Sequence, residues 1–233
     1  MKHLVFLTSI FLLVFQSKSF SQNVLSKGTL TLEITEVTSD NPDMQMHLNM
    51  MKGSKTVLTF DEDLQLNETT MMGGMMKIVV KTNLKTKMMD MLFSMMGNNS
   101  WIQSPLDDVK SQKEKDIAKE TKVTYDKSKT KKILGYDCYQ MTITNPEMEG
   151  MEITGYITDQ VKAKGTLIQG FEDLSLTGYP LEFNVNNAGM KMTFSATAIS
   201  PDVDASKFEL NTTGYTKMTM KEFQESMGRM GRG

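Results

Sequence analysis

The sequence predicts a mainly β fold (α+β): a meandering antiparallel sheet in a single domain with a few short helices. Three observations carry this. Apolar and polar residues alternate with period two in segment after segment, the segments are separated by short Gly-, Asn- and Pro-containing turns, and helical periodicity is rare between them.

Taken in order, Leu30, Leu32 and Ile34 alternate with Thr31, Glu33 and Thr35, which predicts a half-buried strand. Met44, Met46, Leu48 and Met50 give one apolar face opposite Gln45, His47 and Asn49, a second strand by the same rule. Lys52-Gly53-Ser54 then turns into a strand over 55–60. Met76, Ile78 and Val80 alternate with Lys77 and, less cleanly, Val79. Residues 86–96 fit two templates, because Met88, Met91, Leu92 and Met95 also share a helical face; a strand paired with 76–82 across Asn83-Leu84-Lys85 is preferred. Ser104-Pro105-Leu106-Asp107 has the form of an N-cap with proline at the first helical position, predicting a charged surface helix to about Lys119. Strands at 142–144 and 151–157 flank Asn145-Pro146, and strands at 181–185 and 190–199 flank Asn186-Asn187-Ala188-Gly189, a hairpin signal. Thr219-Met-Lys-Glu222 is a capping-box pattern before Phe223 and Met227, and residues 228–233 are expected to be a disordered tail.

The N-terminus carries an address. Lys2 and His3 precede an apolar run from Leu4 to Phe15, and Ser19-Phe20-Ser21 is a small-x-small cleavage signal, so residues 1–21 read as a cleaved signal peptide. No cysteine follows it for acylation, and no other segment is apolar over the ~18 residues a spanning helix needs. The expectation is an exported protein, periplasmic or outside the cell, soluble after cleavage near Ser21, with residues 22–227 as one β-rich domain.

Composition narrows the function classes. Without Lys2 and Lys18 the chain has 24 basic and 28 acidic residues, a net charge of −4, which argues against a nucleic-acid partner. The lysines of 110–122 and 127–132 are interleaved with Asp, Glu, Ser and Thr, the pattern of solvated faces. Cys138 is alone, so stability cannot come from an intramolecular disulfide, and a chain this long buries roughly 70% of its unfolded surface without one. His47 is the single histidine after the signal, and nothing in the spacing brings it to Cys138. There is no G-x-S-x-G, phosphate-binding glycine loop, H-E-x-x-H or C-x-x-C. The expected protein is a binder, not an enzyme, and no cofactor is called for.

Methionine is the strongest compositional signal. Residues 22–233 hold 22 Met against 16 Leu, and thirteen of those Met lie between Met44 and Met96. A thioether is flexible, polarizable and soft, so three uses compete: filling a core, lining an adaptable pocket for a lipid or lipoprotein acyl chain, or binding Cu(I) or Ag(I). The apolar-ligand reading places Met76, Ile78, Val80, Met89, Met91 and Phe93 on the binding surface. The metal reading uses Met71, Met72, Met75 and Met76, where Gly73-Gly74 permits a tight turn.

The second half of the chain supplies a resemblance. Thr130-Lys-Lys-Ile133-Leu134-Gly135-Tyr136-Asp-Cys138-Tyr139 resembles the T-K-x-I-x-G-Y-x-C signature of an exported bacterial family of unknown function. That family is related in pattern to the GLPGLI proteins and more remotely to the periplasmic lipoprotein carrier LolA. The likeness continues through Gly155-Tyr156-Ile157-Thr158-Asp159, Gly178-Tyr179-Pro180-Leu181-Glu182, Phe208-Glu209-Leu210 and Gly214-Tyr215-Thr216-Lys217-Met218, with Asn211 where proline is usual. The resemblance implies no catalytic residues. It implies an open antiparallel half-barrel with helices against its concave apolar face. Without the family, Gly135 inside a β-prone run suggests a bulge or close backbone approach, and Tyr139, Met141 and Ile143 should share the face opposite Cys138, Gln140 and Thr142.

Overall fold

A computed structural model describes residues 24–108, 119–146, 151–164 and 176–230. The strands are β1 (Gly28–Ser39), β2 (Lys55–Phe60), β3 (Leu64–Met71), β4 (Met76–Asn83), β5 (Met88–Met95), β6 (Asn98–Pro105), β7 (Lys122–Ile133), β8 (Tyr136–Thr144), β9 (Met151–Thr158), β10 (Tyr179–Asn187), β11 (Met190–Ser200) and β12 (Thr216–Met218). Helix α1 is Pro42–Asn49 and α2 is Met220–Met230. The strands form one sheet in the order β12-β6-β5-β4-β3-β2-β1-β11-β10-β9-β8-β7. Its edges, β12 and β7, do not pair with each other, so the sheet is an open half-barrel. Neighbours are antiparallel except β12, which joins β6 in parallel. The predicted mainly β half-barrel is therefore correct in class, with one parallel edge that the sequence did not announce.

Hairpin chemistry builds most of this order. Met96-Gly97, Leu134-Gly135 and Ala188-Gly189 are two-residue turns with both φ values positive (49 and 85, 48 and 89, 45 and 82 degrees), the geometry that matches strand twist. Gly135 is thus the second residue of a hairpin turn, not a bulge. β5 pairs with β4 as preferred, through the turn at 84–87.

One face of the sheet holds the main core. Leu30 and Leu32 of β1 and Leu58 and Phe60 of β2 join Tyr139, Met141 and Ile143 of β8, Ile153 and Ile157 of β9, and Leu181 and Phe183 of β10. Tyr139, Met141 and Ile143 do share this face, as the alternation predicts. Both helices lie on it. Leu48 of α1 packs against Ile34 and Val37, and Phe223 of α2 meets Phe93 edge-on with centroids 5.2 Å apart. The outer face of β3–β6 is also apolar in part: Leu66, Val79 and Leu92 are covered by Phe208, Val203, Leu210 and Tyr215 from the C-terminal segment. That cover explains why Val79 breaks the alternation of β4.

Two helix assignments need correction. Residues 44–50 are not a strand. The Asn41 side chain accepts from the N–H groups of Asp43 and Met44 at 2.9 and 3.3 Å, and Pro42 opens the helix, so local capping decides α1. Met44, Met46 and Met50 are exposed, so their spacing marks no buried face. Ser104 is not an N-cap: it is buried in β6 opposite Met89, and a 3₁₀ turn at Leu106–Asp108 follows, while Lys119 and Glu120, where the predicted helix was to end, are helical. The rest of that predicted helix, 109–118, lies outside the described residues. The capping box at α2 forms as predicted, with the Thr219 N–H and hydroxyl donating to the Glu222 carboxylate and the Glu222 N–H donating back to Thr219 Oγ1. α2 runs past Gly228, where the tail was expected to begin, to Met230.

Met96 occupies a left-handed position where a bulky side chain costs about 1 kcal/mol and Asn is much better tolerated. Met96→Asn is expected to raise stability by roughly 0.5–1 kcal/mol in urea unfolding; an unchanged or lowered midpoint would show that the Met96 side chain itself stabilises the fold.

Candidate ligand-binding face

Strand register gathers the six predicted ligand-binding residues. Ile78 lies opposite Phe93 and Val80 opposite Met91, while Met89 lies opposite Thr82 and Met76 opposite Met95. Because paired residues point to the same side of a sheet, Met76, Ile78, Val80, Met89, Met91 and Phe93 share one face, the one that carries the main core. Met89 and Phe93 are buried, whereas Met76, Ile78, Val80 and Met91 keep partial exposure. From Met76 to Val80 the row is about 13 Å long at the usual strand rise.

Two residues of this face were missed. Ile102 of β6 is fully buried opposite Met91, and Phe223 reaches Phe93 from α2. The alternation of Ser100, Ile102 and Ser104 puts serines on the apolar side, so β6 carried little signal, and a contact between residues 93 and 223 has none. β3 bounds the row with polar groups. Gln65 donates to the Lys164 carbonyl at 2.7 Å and accepts from the Lys164 N–H at 2.6 Å, which pins residues 161–164 across the lower end of the face. Thr56 and Thr69 share a hydroxyl hydrogen bond of 2.9 Å near the other end. Between them the Asn67 side-chain oxygen, opposite Val80, is buried without a hydrogen-bond partner among the described residues. Buried acceptors are rarely left so.

The four residues of the metal reading meet at one hairpin. Met71 and Met76 are directly opposite each other, Met72 and Met75 lie in the connecting turn, and Met72, Gly73 and Gly74 all have positive φ there. Among the described residues no three His, Cys, Asp or Glu side chains gather as a metal site.

Cys138 and His47 are not brought together. His47 is exposed on α1, beyond the end of β1, whereas Cys138 sits near the start of β8, at the opposite end of the sheet. Burial pushes the Cys138 thiol up to about 11, with the nearby carboxylates of Asp137 and Glu182 adding to it, so at neutral pH it is a small apolar side chain. The family-like residues around it serve packing. Tyr139 donates to Asp159 at 2.7 Å and shares a hydrogen bond of 2.9 Å with Thr177, linking β8, the end of β9 and the approach to β10. Gly155 faces β10 so closely that a Cβ would sit 2.4 Å from the Glu182 carbonyl.

Two pockets are lined by none of the six row residues. One of about 660 Å³ is lined by Gln103, Ser104, Asp108, Lys217, Thr219 and Glu222, beside the start of α2. Another of about 450 Å³ is lined by Lys52, Ser54, Lys55, Glu68 and Lys77 on the outer side of β2–β4. No described helix is long and apolar enough to cross a membrane.

No protein-family model matches the chain, and no curated protein matches it. Solved structures do. The Mycobacterium tuberculosis lipoprotein LppX is 8% identical with a TM-score of 0.37 and covers 77% of this chain and 89% of its own. A DUF1329 family protein from Desulfovibrio piger is 11% identical, with a TM-score of 0.33 and coverages of 81% and 91%. The Pseudomonas aeruginosa MucA/MucB complex matches at 11% identity and a TM-score of 0.36, covering 82% of this chain; the chain spans only 58% of the length of that one. At these identities and scores the matches carry no argument about what this chain does.

The thiol fixes a pH dependence. Because folding holds Cys138 neutral above its ordinary value near 9, its contribution is complete below pH 9 and is lost as pH rises toward 11. Wild type should lose stability relative to Cys138→Ala between pH 9 and 10, by up to about 1.4 kcal/mol per unit, in urea titrations. Tyr139 and Tyr179, both raised mainly by burial, act in the same direction only above pH 10 and cancel in the difference. A parallel pH profile for the two proteins would refute the assignment.

Proposed function

We propose that the protein is an exported, non-catalytic binding protein that holds an apolar ligand, a lipid or acyl chain, against the core face of β4–β6. The observation that carries this reading is the register that puts Met76, Ile78, Val80, Met89, Met91 and Phe93 on one face while four of the six stay partly exposed. Residues in a finished core are driven to full burial; an adaptable, incompletely buried methionine surface suits ligands of variable shape. The Asn67 oxygen beside Val80 supplies an acceptor for a ligand N–H or O–H, so the surface combines an apolar strip with a single polar anchor. The leader-like segment at 1–21 agrees with an exported carrier role.

Magnitudes favour a long chain. Ten buried methylenes contribute about 8 kcal/mol, of the same order as the freedom lost on association. A ligand of micromolar affinity therefore needs a longer or a second chain.

Native mass spectrometry of residues 22–233, purified without detergent, is expected to show releasable adducts of lipid mass. Val80→Thr with Met91→Gln should strongly reduce them while leaving the far-ultraviolet circular dichroism close to wild type, since neither substitution places a charge on the face. A bare polypeptide mass that persists after incubation with phospholipid and fatty acid would overturn the reading.

A further inference from the structure

We propose that Met71, Met76 and Met95, with Met72, Met75 and Met96 in the two adjoining turns, form a binding site for a soft monovalent cation, Cu(I) or Ag(I). The proposal goes beyond the apolar-ligand reading and rests on different observations.

The first is a row of thioethers across three strands. Met71 pairs with Met76 and Met76 pairs with Met95, so the three occupy consecutive positions on β3, β4 and β5, on the same face and at the same end of the sheet. Directly paired residues have Cβ atoms about 5 Å apart, and a methionine side chain with three rotatable bonds closes such a gap so that neighbouring sulfurs meet on one ion. Met95 was not part of the sequence-based set, because it lies nineteen residues beyond Met76 and joins the row only through strand pairing.

The second is the pair of turns above the row. Both the 72–75 turn and the Met96-Gly97 turn lie at this end, and each holds a methionine in the left-handed region, Met72 at φ 53 and Met96 at φ 49 degrees. Glycine or asparagine suits these positions better. Backbone preference therefore does not account for methionine there.

The third is exposure. Met75 is 47% and Met96 76% exposed, while Met71, Met72, Met76 and Met95 are partly buried. Exposed thioethers at the tips lead to half-buried ones in the row, a graded route from solvent. Packing gives no reason for the exposed pair, since a side chain three-quarters in water contributes little to a core.

The chemistry selects the ion. Thioethers are neutral, soft and unaffected by pH, so they bind Cu(I) or Ag(I) and leave Zn(II) or Mg(II) to harder ligands. The neighbouring charged residue on β4, Lys77, points to the other face and pairs with Glu68 at 3.7 Å, so it does not oppose a cation in the row. A half-exposed position also limits the desolvation a cation suffers.

The test is an Ag(I) titration of metal-free residues 22–233, followed by calorimetry, native mass spectrometry and ¹H–¹³C spectra of the methionine methyl groups. Cu(I) is then added in competition with a colorimetric chelator. One tightly held ion per chain is expected, with the methyl signals of Met71, Met76 and Met95 moving on addition. Because the spectra use the wild-type chain, this readout does not depend on a variant folding. Met71→Leu, Met76→Leu and Met95→Leu together should weaken binding by at least about a hundredfold, more than loss of a supporting group costs a metal site. Met44→Leu, Met46→Leu and Met50→Leu together, exposed on α1 and its end, should leave it unchanged. Absence of binding, shifts confined to other methionines, or equal losses in the two triple variants would each overturn the proposal.

Discussion

The pairing of β1 with β11 is the interaction on which the rest depends. The sheet consists of two meanders, β1–β6 and β7–β11, and within the sheet they are joined where residues 29–39 run antiparallel to 190–200. Every other antiparallel neighbour follows its partner closely in sequence, so this one pairing across the length of the domain decides that there is a single sheet. The register shifts between Thr31 and Leu32 and between Ile34 and Glu36 let the long strand bend while Leu30, Leu32, Ile34 and Val37 stay buried. Gly28 permits the close approach at its start, since a Cβ there would lie 2.4 Å from the Ser200 carbonyl. Such a non-local seam must be ordered before its contacts reward it, which makes it a slow step in folding and a strong constraint once formed.

From that seam the core face becomes continuous, and the chain manages what an open sheet leaves unprotected. Strand β7 is an edge and carries Lys127, Lys129, Lys131 and Lys132, with an irregularity between Asp126 and Thr130. Charge and irregularity on an edge oppose pairing with another chain. These lysines are therefore best understood as edge protection: Lys131 reaches Glu182 at 2.7 Å and Lys132 reaches Asp137 at 2.6 Å, within the molecule. The opposite edge is only three residues long, and Lys217 there lies 4.5 Å over the Trp101 ring whose N–H donates to Asp90.

What the sequence disclosed follows from how local each decision was. The hairpin at 188–189 was legible because turn and register are set by adjacent residues, and the cap at Thr219 and Glu222 lies within one helical turn, whereas Gly135 read as a bulge because the residues on both sides of it are β-prone. The strand reading of Met44, Met46 and Met50 failed because an i, i+2 pattern of an unbranched, helix-tolerant residue carries little information when an Asn-Pro cap precedes it. Ser104-Pro105 misled in the reverse direction: a good cap sequence is overridden when the serine is paired with Met89 in a sheet. The apolar row was visible as alternation on β4 and β5, but Ile102, Phe223 and Asn67 enter it through strand order and tertiary contact, which no short window contains.

The methionines are distributed in a way that packing alone does not require. Following strand direction, α1 and the turns at 72–75 and 96–97 all lie at one end of the sheet. That end holds Met44, Met46, Met50, Met51, Met71, Met72, Met75, Met76, Met95 and Met96, whereas Met88 and Met89 lie toward the other and Met91 between. If methionine served only to fill irregular gaps, it would follow the buried positions, yet the most buried side chains, such as Leu30, Leu58, Phe60, Ile143, Ile153, Ile157 and Phe183, are almost all Leu, Ile or Phe, with Met141 and Thr59 the exceptions. Thioethers are thus concentrated where the chain is half exposed and sparse where it is tightly packed. An interior selects for shape and fixed rotamers, whereas a rim selects for adaptability and soft donor chemistry, and it is the rim that this composition favours. The apolar row begins at Met76, the same residue that lies at the centre of the thioether row, so the two proposed surfaces meet at one end of the half-barrel.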